Sequence, residues 1–443
     1  MKTHKARGLT RLSIRLAACA ILVAAPEGYG ISLDRDRVIL TEEFVGNVFP
    51  SFNHAPAITQ AADGSLIVAW YGGYQMGKPD TSIWLARNTG TGWTEPIEID
   101  NGQREDGEIY ATWDPVLLTV RDGTIYLFYK ISSIQDDIRG YSNWWGAVKV
   151  SADDGVNWSD RKWLPEGPQP YFKKYTTFSG PTRNQPLELP DGTLLIGSHT
   201  ESPSWKVHFE LVDGPDYTTG YHLVGPIGSG AIQPAFIVHS PDYSRLQIIC
   251  RPSSSSGNPP KTAFSCDMGQ TWTALQDLEG INTCAGLTAA TLKSGWHVLA
   301  FNPECSRTPL SVALSKDGIN WYTLLPELDM CDSLSVDYPS TIEAYDGKIH
   351  LVYAYANHGR IKHVVLDTDY LVNAAIMSDY GLAGDFDRDQ DVDFFDYAIL
   401  SRYWQEVNCA CKWWCGGADI DRGGCVDFFD LAAFAANWLG QDN

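Results

Sequence analysis

The stretch His54-Ala55-Pro56-Ala-Ile-Thr-Gln-Ala-Ala-Asp63-Gly64-Ser-Leu66-Ile-Val-Ala-Trp70 holds the plan on which most of this chain is built. A small or proline-marked opening leads into an apolar strand. Asp63-Gly64 then turns the chain, and Leu66 to Trp70 returns as a second β-rich strand. Further openings follow at Asp114-Pro115, Gln185-Pro186, Gln233-Pro234, Ala285-Gly286 and Tyr338-Pro339. Their turns fall at Asp122-Gly123, Asp191-Gly192, Asp242-Tyr243, Ser294-Gly295 and Asp346-Gly347. Successive turns lie roughly 50–70 residues apart, the length of one four-stranded propeller blade. The spacing predicts an all-β, six-bladed β-propeller over residues 31–367. A strand from the opposite end of the chain should close the first blade, with Val38 to Leu40 and Val364 to Leu366 as candidates.

A second repeat is independent of the first. Ser151-Ala-Asp153-Asp-Gly155-Val-Asn-Trp158 and Ser265-Cys-Asp267-Met-Gly269-Gln-Thr-Trp272 share one pattern, and Ser315-Lys-Asp317-Gly318-Ile-Asn-Trp321 is one residue shorter. Such a segment is a hairpin: the aspartate caps backbone amides, the glycine takes a positive φ, and the tryptophan fills the space between strands. This is the Asp-box. It resembles the BNR repeats of sialidase-like proteins and is structural rather than chemical.

Composition bounds the partners. The 54 acidic residues outnumber the 33 basic ones, for a net charge of −21. That argues against nucleic acid or an anionic membrane as partner. The N-terminus reads as a secretory leader over residues 1–30, with Lys2, Lys5, Arg7, Arg11 and Arg15 ahead of the apolar run Leu16 to Ala25. The expectation is a secreted or cell-surface protein without a membrane span. Export permits disulfides. Cys409, Cys411, Cys415 and Cys425 form a C-terminal group able to make two bridges, and five further cysteines lie in the propeller, leaving at least one thiol free or paired across domains.

After a connector at residues 368–383 the composition changes. Asp385, Asp387, Asp389, Asp393 and Asp396 fall at positions one, three, five, nine and twelve of a loop, and Asp419, Asp421, Asp427 and Asp430 repeat the plan. Alternate carboxylates on a tight loop, one of them opening a helix, make a calcium cage. Each loop leads into a helical run and carries a Phe-Phe pair before its last ligand, Phe394-Phe395 and Phe428-Phe429. Residues 384–443 thus resemble a type I dockerin, a small α-helical calcium module. The resemblance implies structural calcium and a cohesin-type scaffold domain as partner.

The inner strand of each blade lines the central channel, so residues at its opening converge on one mouth. They are His54, Asp114, Asn184, Gln233 and Tyr338. Ends of the second strands add Trp70-Tyr71, Lys130, Glu201, Arg251 and Asn302, and loops add Asp80, Arg183 and Arg307. The order of parts resembles a sialidase over nearly the whole propeller. By that resemblance Arg251 and Arg307 bind a sugar carboxylate, Tyr338 is the nucleophile and Asp80 the acid/base. Two departures stand out. His54 occupies the place of the first arginine, and Gln233 that of the glutamate that takes the phenol's proton. Three readings follow. One is an exo-acting glycoside hydrolase releasing a terminal acidic sugar, with no catalytic cofactor. The second is a polysaccharide lyase on uronate glycans, with His54 or Tyr338 as base. The third is a carbohydrate-binding propeller without turnover.

Overall fold

A computed structural model of the protein describes residues 33–47, 50–103, 107–132, 144–164, 180–201, 204–213, 221–253, 259–378, 384–386, 392–409, 415, 417–420 and 424–439. The leader, Cys411, Asp387, Asp389 and Asp421 lie outside these residues.

Six four-stranded antiparallel sheets form the propeller. Their first strands are β2 (Phe52–Gln60), β6 (Ala111–Thr119), β10 (Leu187–Glu188), β14 (Ala231–Val238), β18 (Thr288–Thr291) and β22 (Asp337–Glu343). Second strands such as β3 (Leu66–Gly73) and β7 (Ile125–Ser132) are buried along their whole length, because both faces pack against neighbouring blades. All six turns fall between first and second strands, as the spacing predicts.

The ring closes at a different blade from the one expected. The N-terminal strand β1 (Ile39–Phe44) pairs antiparallel with β24 (Arg360–Leu366), in the order β1-β24-β23-β22, with β23 at Ile349–Tyr355. It is therefore the sixth blade that is completed from the other end of the chain. The first blade is complete in itself as β2, β3, β4 (Ser82–Asn88) and β5 (Ile97–Asp100). Buried charge fastens the seam. Lys362 Nζ lies 2.6 Å from Asp329 and 2.5 Å from Glu42, and Tyr353 Oη donates to Asp329 at 2.7 Å. His363 Nδ1 lies 3.0 Å from Glu43, to which Trp93 Nε1 also donates. Lys362 and His363 are thus residues of the closure.

The three Asp-boxes form as their sequences dictate. Asp153, Asp267 and Asp317 accept backbone N–H groups of Asn157, Thr271 and Asn320 at 2.7–2.9 Å. Trp158, Trp272 and Trp321 donate to the glycine carbonyls, and each glycine has a positive φ. They sit at the ends of third strands, away from the mouth.

The connector expected at 368–383 opens instead with helix α2 (Thr368–Ser378). Its Leu371, Ala374 and Ala375 are buried in the core of the fifth and sixth blades, so apolar packing rather than linker composition decides this segment. Further on, α3 (Phe394–Arg402) and α4 (Phe428–Ala436) begin with matching capping boxes, Asp393 with Asp396 and Asp427 with Asp430. Their core includes Val392, Leu400, Val426 and Phe434 and the Cys409–Cys415 disulfide. Cys425 is a free thiol, as are Cys250 and Cys331 in the propeller.

Lys362→Met leaves Asp329 buried without its cation. Breaking a buried pair on one side costs about 3–5 kcal/mol. Chemical denaturation should show a loss of that size, and a stability equal to wild type would remove the seam from the account.

Candidate active site at the propeller mouth

The mouth is built by one local device. Ala55, Asp114, Gln233 and Tyr338 each precede a proline and each have a left-handed backbone, with φ of 46°, 41°, 59° and 56°. Strand register shifts at the same four places, between His54 and Ala57, Trp113 and Val116, Ile232 and Ala235, and Asp337 and Ser340. These are β-bulges, which break the alternation of side chains and re-aim them. A non-glycine residue held at positive φ costs on the order of 1–3 kcal/mol and persists only where its surroundings fix it. In the third blade Arg183 has the left-handed backbone instead (φ 76°).

Tyr338 is the hub. Arg251 Nη1 donates to its hydroxyl at 3.1 Å. The guanidinium carbons of Arg183 and Arg307 stand 4.8 and 5.1 Å from its ring centroid, and the His54 ring lies 4.1 Å away. Three arginines and a histidine from four blades thus meet at one phenol. Gly286 makes room for them, since a Cβ there would come within 3.3 Å of both Arg183 Nε and Tyr338 Cδ1. The Cys284–Cys305 disulfide ties down the neighbouring loop, whose Cys284 carbonyl accepts from Arg251 Nε at 2.6 Å.

A second layer holds these groups. Arg307 Nη1 lies 2.6 Å from Asp337 Oδ2, and Asp337 Oδ1 lies 3.2 Å from His358 Nε2. Burial opposes the Asp337 charge, yet His358, His54 and Arg307 hold its carboxyl well below the usual range. Burial also opposes the Arg307 charge, but Tyr338 and Asp337 keep it above its ordinary value. His54, whose Nδ1 lies 2.8 Å from Tyr71 Oη, is pushed well below its ordinary pKa by burial and by its electrostatic interaction with neighbouring His358. Burial draws Arg183 down to about 10 and raises Asp114 to about 6, against the pull of Arg183.

Not every expected residue serves the cluster. Trp70 is fully buried between blades, its indole N–H donating to Asn53 Oδ1 at 2.9 Å, so its ring is core and offers no sugar-stacking face. Lys130 is fully buried in β7 and acts on Asp114 through its charge. Glu201 lies 3.1 Å from His199 Nε2, which places its carboxylate on the third blade's own histidine. Asp80 is exposed on the loop between β3 and β4, at the mouth end, and accepts from Tyr74 N at 2.6 Å. Asp337 and His358 were not singled out by the sequence as mouth residues. Tyr71, expected there beside Trp70, lies opposite His54 in the sheet register.

Several buried polar atoms at the mouth have no hydrogen-bond partner among the described residues: Arg183 Nε and Nη1, Asn184 Oδ1 and Gln233 Oε1. Buried polar groups are nearly always paired, so each such atom calls for an explanation. The Arg183 donors lie beside Tyr338, and Asn184 and Gln233 are themselves joined by a hydrogen bond from Asn184 Nδ2 to the Gln233 carbonyl at 3.0 Å.

Residues 64–351 match the BNR repeat-like domain, which is more than half of the chain. The chain belongs to this BNR repeat-like family. Among solved structures, a Dyadobacter fermentans protein is similar at 15% identity and a TM-score of 0.59, over 74% of this chain and 98% of its own. The Hadza microbial sialidase Hz136 is 16% identical with a TM-score of 0.59, over 75% and 69%. The leech intramolecular trans-sialidase is 15% identical with a TM-score of 0.56, over 75% and 70%. No curated protein sequence matches the chain. At these identities the likeness establishes the sialidase-like propeller fold.

Gly286→Val should wedge Arg183 from Tyr338. Calorimetric titration with an acidic sugar that binds the wild type should show at least tenfold weaker affinity at little change in melting temperature. Unchanged affinity would place ligand binding elsewhere.

Proposed function

We propose that this propeller is a carbohydrate-active enzyme that removes a terminal acidic sugar from a glycan by hydrolysis. The observation that carries the reading is the set of unpaired buried donors on Arg183 beside Arg251 and Arg307, all at Tyr338. Charge-assisted hydrogen bonds to a carboxylate are worth roughly 1.5–3 kcal/mol each. Arg183 takes the place of the arginine that His54 replaces in the sialidase pattern. The acceptors Asn184 Oδ1 and Gln233 Oε1 suit sugar hydroxyls.

In this reading Tyr338 attacks the anomeric carbon as the phenolate, which Arg251 and Arg307 stabilise before the bond forms, the glycosidic C–O bond breaks, and water then cleaves the tyrosyl intermediate to release the sugar. Asp80, on the solvent side of the mouth, protonates the leaving oxygen. Gln233 cannot accept the phenol's proton, so in this reading the proton leaves to solvent water at the mouth and the guanidinium groups of Arg251 and Arg307 stabilise the phenolate left behind.

A second reading is favoured by one contact, the His54 ring 4.1 Å from that of Tyr338. On a uronate substrate the arginines neutralise the carboxylate and acidify the neighbouring carbon-bound proton. His54 or Tyr338 then removes it, and the leaving oxygen departs by elimination. Product mass separates the two. Hydrolysis releases an intact hydrated acidic sugar, and elimination a product lighter by one water with a double bond.

The Asp-rich loops fit calcium by their donor chemistry. Asp396, Asp419 and Asp430 are buried carboxylates, and such groups need a cation or hydrogen bonds. Held by calcium, the C-terminal helices would present Phe394, Phe395, Phe428 and Phe429, which are about three-quarters exposed, to a cohesin-type scaffold domain. We place the protein outside the cell, delivered by its N-terminal leader.

Asp80→Asn should lower kcat by about 10²–10⁴-fold, and Tyr338→Phe should abolish turnover, with the fold retained by circular dichroism. Full activity in either variant would end the hydrolytic mechanism. Acidity offers a further test. Above about pH 6 the Asp114 carboxylate is ionised and competes with substrate for Arg183. Below that value it is neutral, while a sugar carboxylate stays ionised. KM should therefore fall between pH 7.5 and pH 5, and Asp114→Asn should flatten the change. A KM that rises on acidification in wild type would contradict this electrostatic reading.

A further inference from the structure

His54, Asp337 and His358 come from two blades and meet behind Tyr338. Each offers one ligand atom, and the three atoms lie within 4.8 Å of one another. Among the described residues this is the one such group of three His, Cys, Asp or Glu side chains. Asp337 and His54 are buried, while His358 is partly open to the mouth.

The supports of this group are what a metal site requires. Metal-binding imidazoles and carboxylates are fixed by outer partners through their second polar atom. Tyr71 Oη meets His54 Nδ1 at 2.8 Å, and Arg307 holds Asp337 Oδ2 at 2.6 Å, which leaves Oδ1 toward His358. His358 sits in a turn where Ala356, Asn357 and His358 have φ of 52°, 53° and 69°. Asn53 N clamps that turn by donating to the His358 carbonyl at 2.7 Å. Three successive non-glycine residues at positive φ are costly, and strain of this kind gathers where a side chain must be aimed.

We propose that His54, Asp337 and His358 bind one divalent transition-metal ion of the zinc class. Two imidazoles and a carboxylate suit zinc better than calcium or magnesium, and three protein ligands leave a fourth position for water or a substrate oxygen. The ion would restore at position 54 the positive charge that a histidine in place of arginine removes. It would also hold His54 as a ligand, so in the elimination reading the proton goes to Tyr338. That role rests on the proposed function, but the binding does not, and it is tested without any sugar. Arg307 shares Asp337 with the ion and weakens the site relative to one free of neighbouring cations.

The test uses full-length protein, stripped with chelator and held in excess calcium so that the Asp-rich loops are saturated. Zinc chloride is titrated by calorimetry. The account predicts one zinc per chain at this site, with affinity at least tenfold lower in His358→Ala and in His54→Gln. Cobalt in the wild type should give an absorption spectrum of nitrogen and oxygen ligands without a thiolate charge-transfer band, which keeps the test open if a variant fails to fold. No zinc uptake, uptake unchanged in both folded variants, or a cobalt–thiolate band with no second site would overturn it. In that case the three residues form a hydrogen-bonded support for Arg307.

Discussion

A bulge before proline, repeated on four inner strands, is the constraint on which the mouth depends. A regular strand would send His54 and the next residue to opposite faces, and likewise Asp337 and Tyr338. The register shift between Asp337 and Ser340 lets both of these neighbours reach the same cluster. Left-handed φ values at Ala55, Asp114, Gln233 and Tyr338 are the local cost. The blades offset it by packing second strands such as β3 and β7 with no exposed residue. A rigid outer scaffold thereby holds a strained inner ring, and the strain lies where the polar groups converge.

Electrostatics then gives the ring its character. Arg183 is nearly inaccessible to solvent, at 2% exposure, and Asp337 is fully buried. Isolated charges do not survive such burial. They persist as a network in which Asp337 neutralises Arg307 and Asp114 partly offsets Arg183. The network leaves the mouth short of anions: three guanidinium groups surround one phenol, and a full carboxylate is committed to only one of them. In the proposed reading an anionic ligand completes such a site, meeting the N–H groups of Arg183 that have no partner among the described residues.

Much of this was legible in the sequence because proline and turn residues punctuate each blade. Six openings and six turns located the inner strands, and through them Asp114, Gln233 and Tyr338. Arg183, Arg251 and Arg307 were legible as mouth residues, though not their shared contact with Tyr338, which needs blades far apart in sequence to close. Closure itself was misjudged because Val38 to Leu40 and Val364 to Leu366 are equally apolar, and only pairing decides which blade they complete. Trp70 was misread for want of a parity count: Tyr71, not Trp70, stands opposite His54. Asp337 was hidden by the bulge that breaks the parity rule. His358 was hidden in a four-residue turn with no motif. Helix α2 was taken for a connector although most of its residues are apolar, because its docking against the fifth and sixth blades is not written in its own sequence.

The central claim is that the mouth reads a carboxylate. Its most direct test compares an acidic sugar with its neutral methyl ester by calorimetric titration against the full-length protein. The account predicts at least a hundredfold weaker binding of the ester, with the difference largely lost in Arg183→Met. Equal affinity for acid and ester would contradict it.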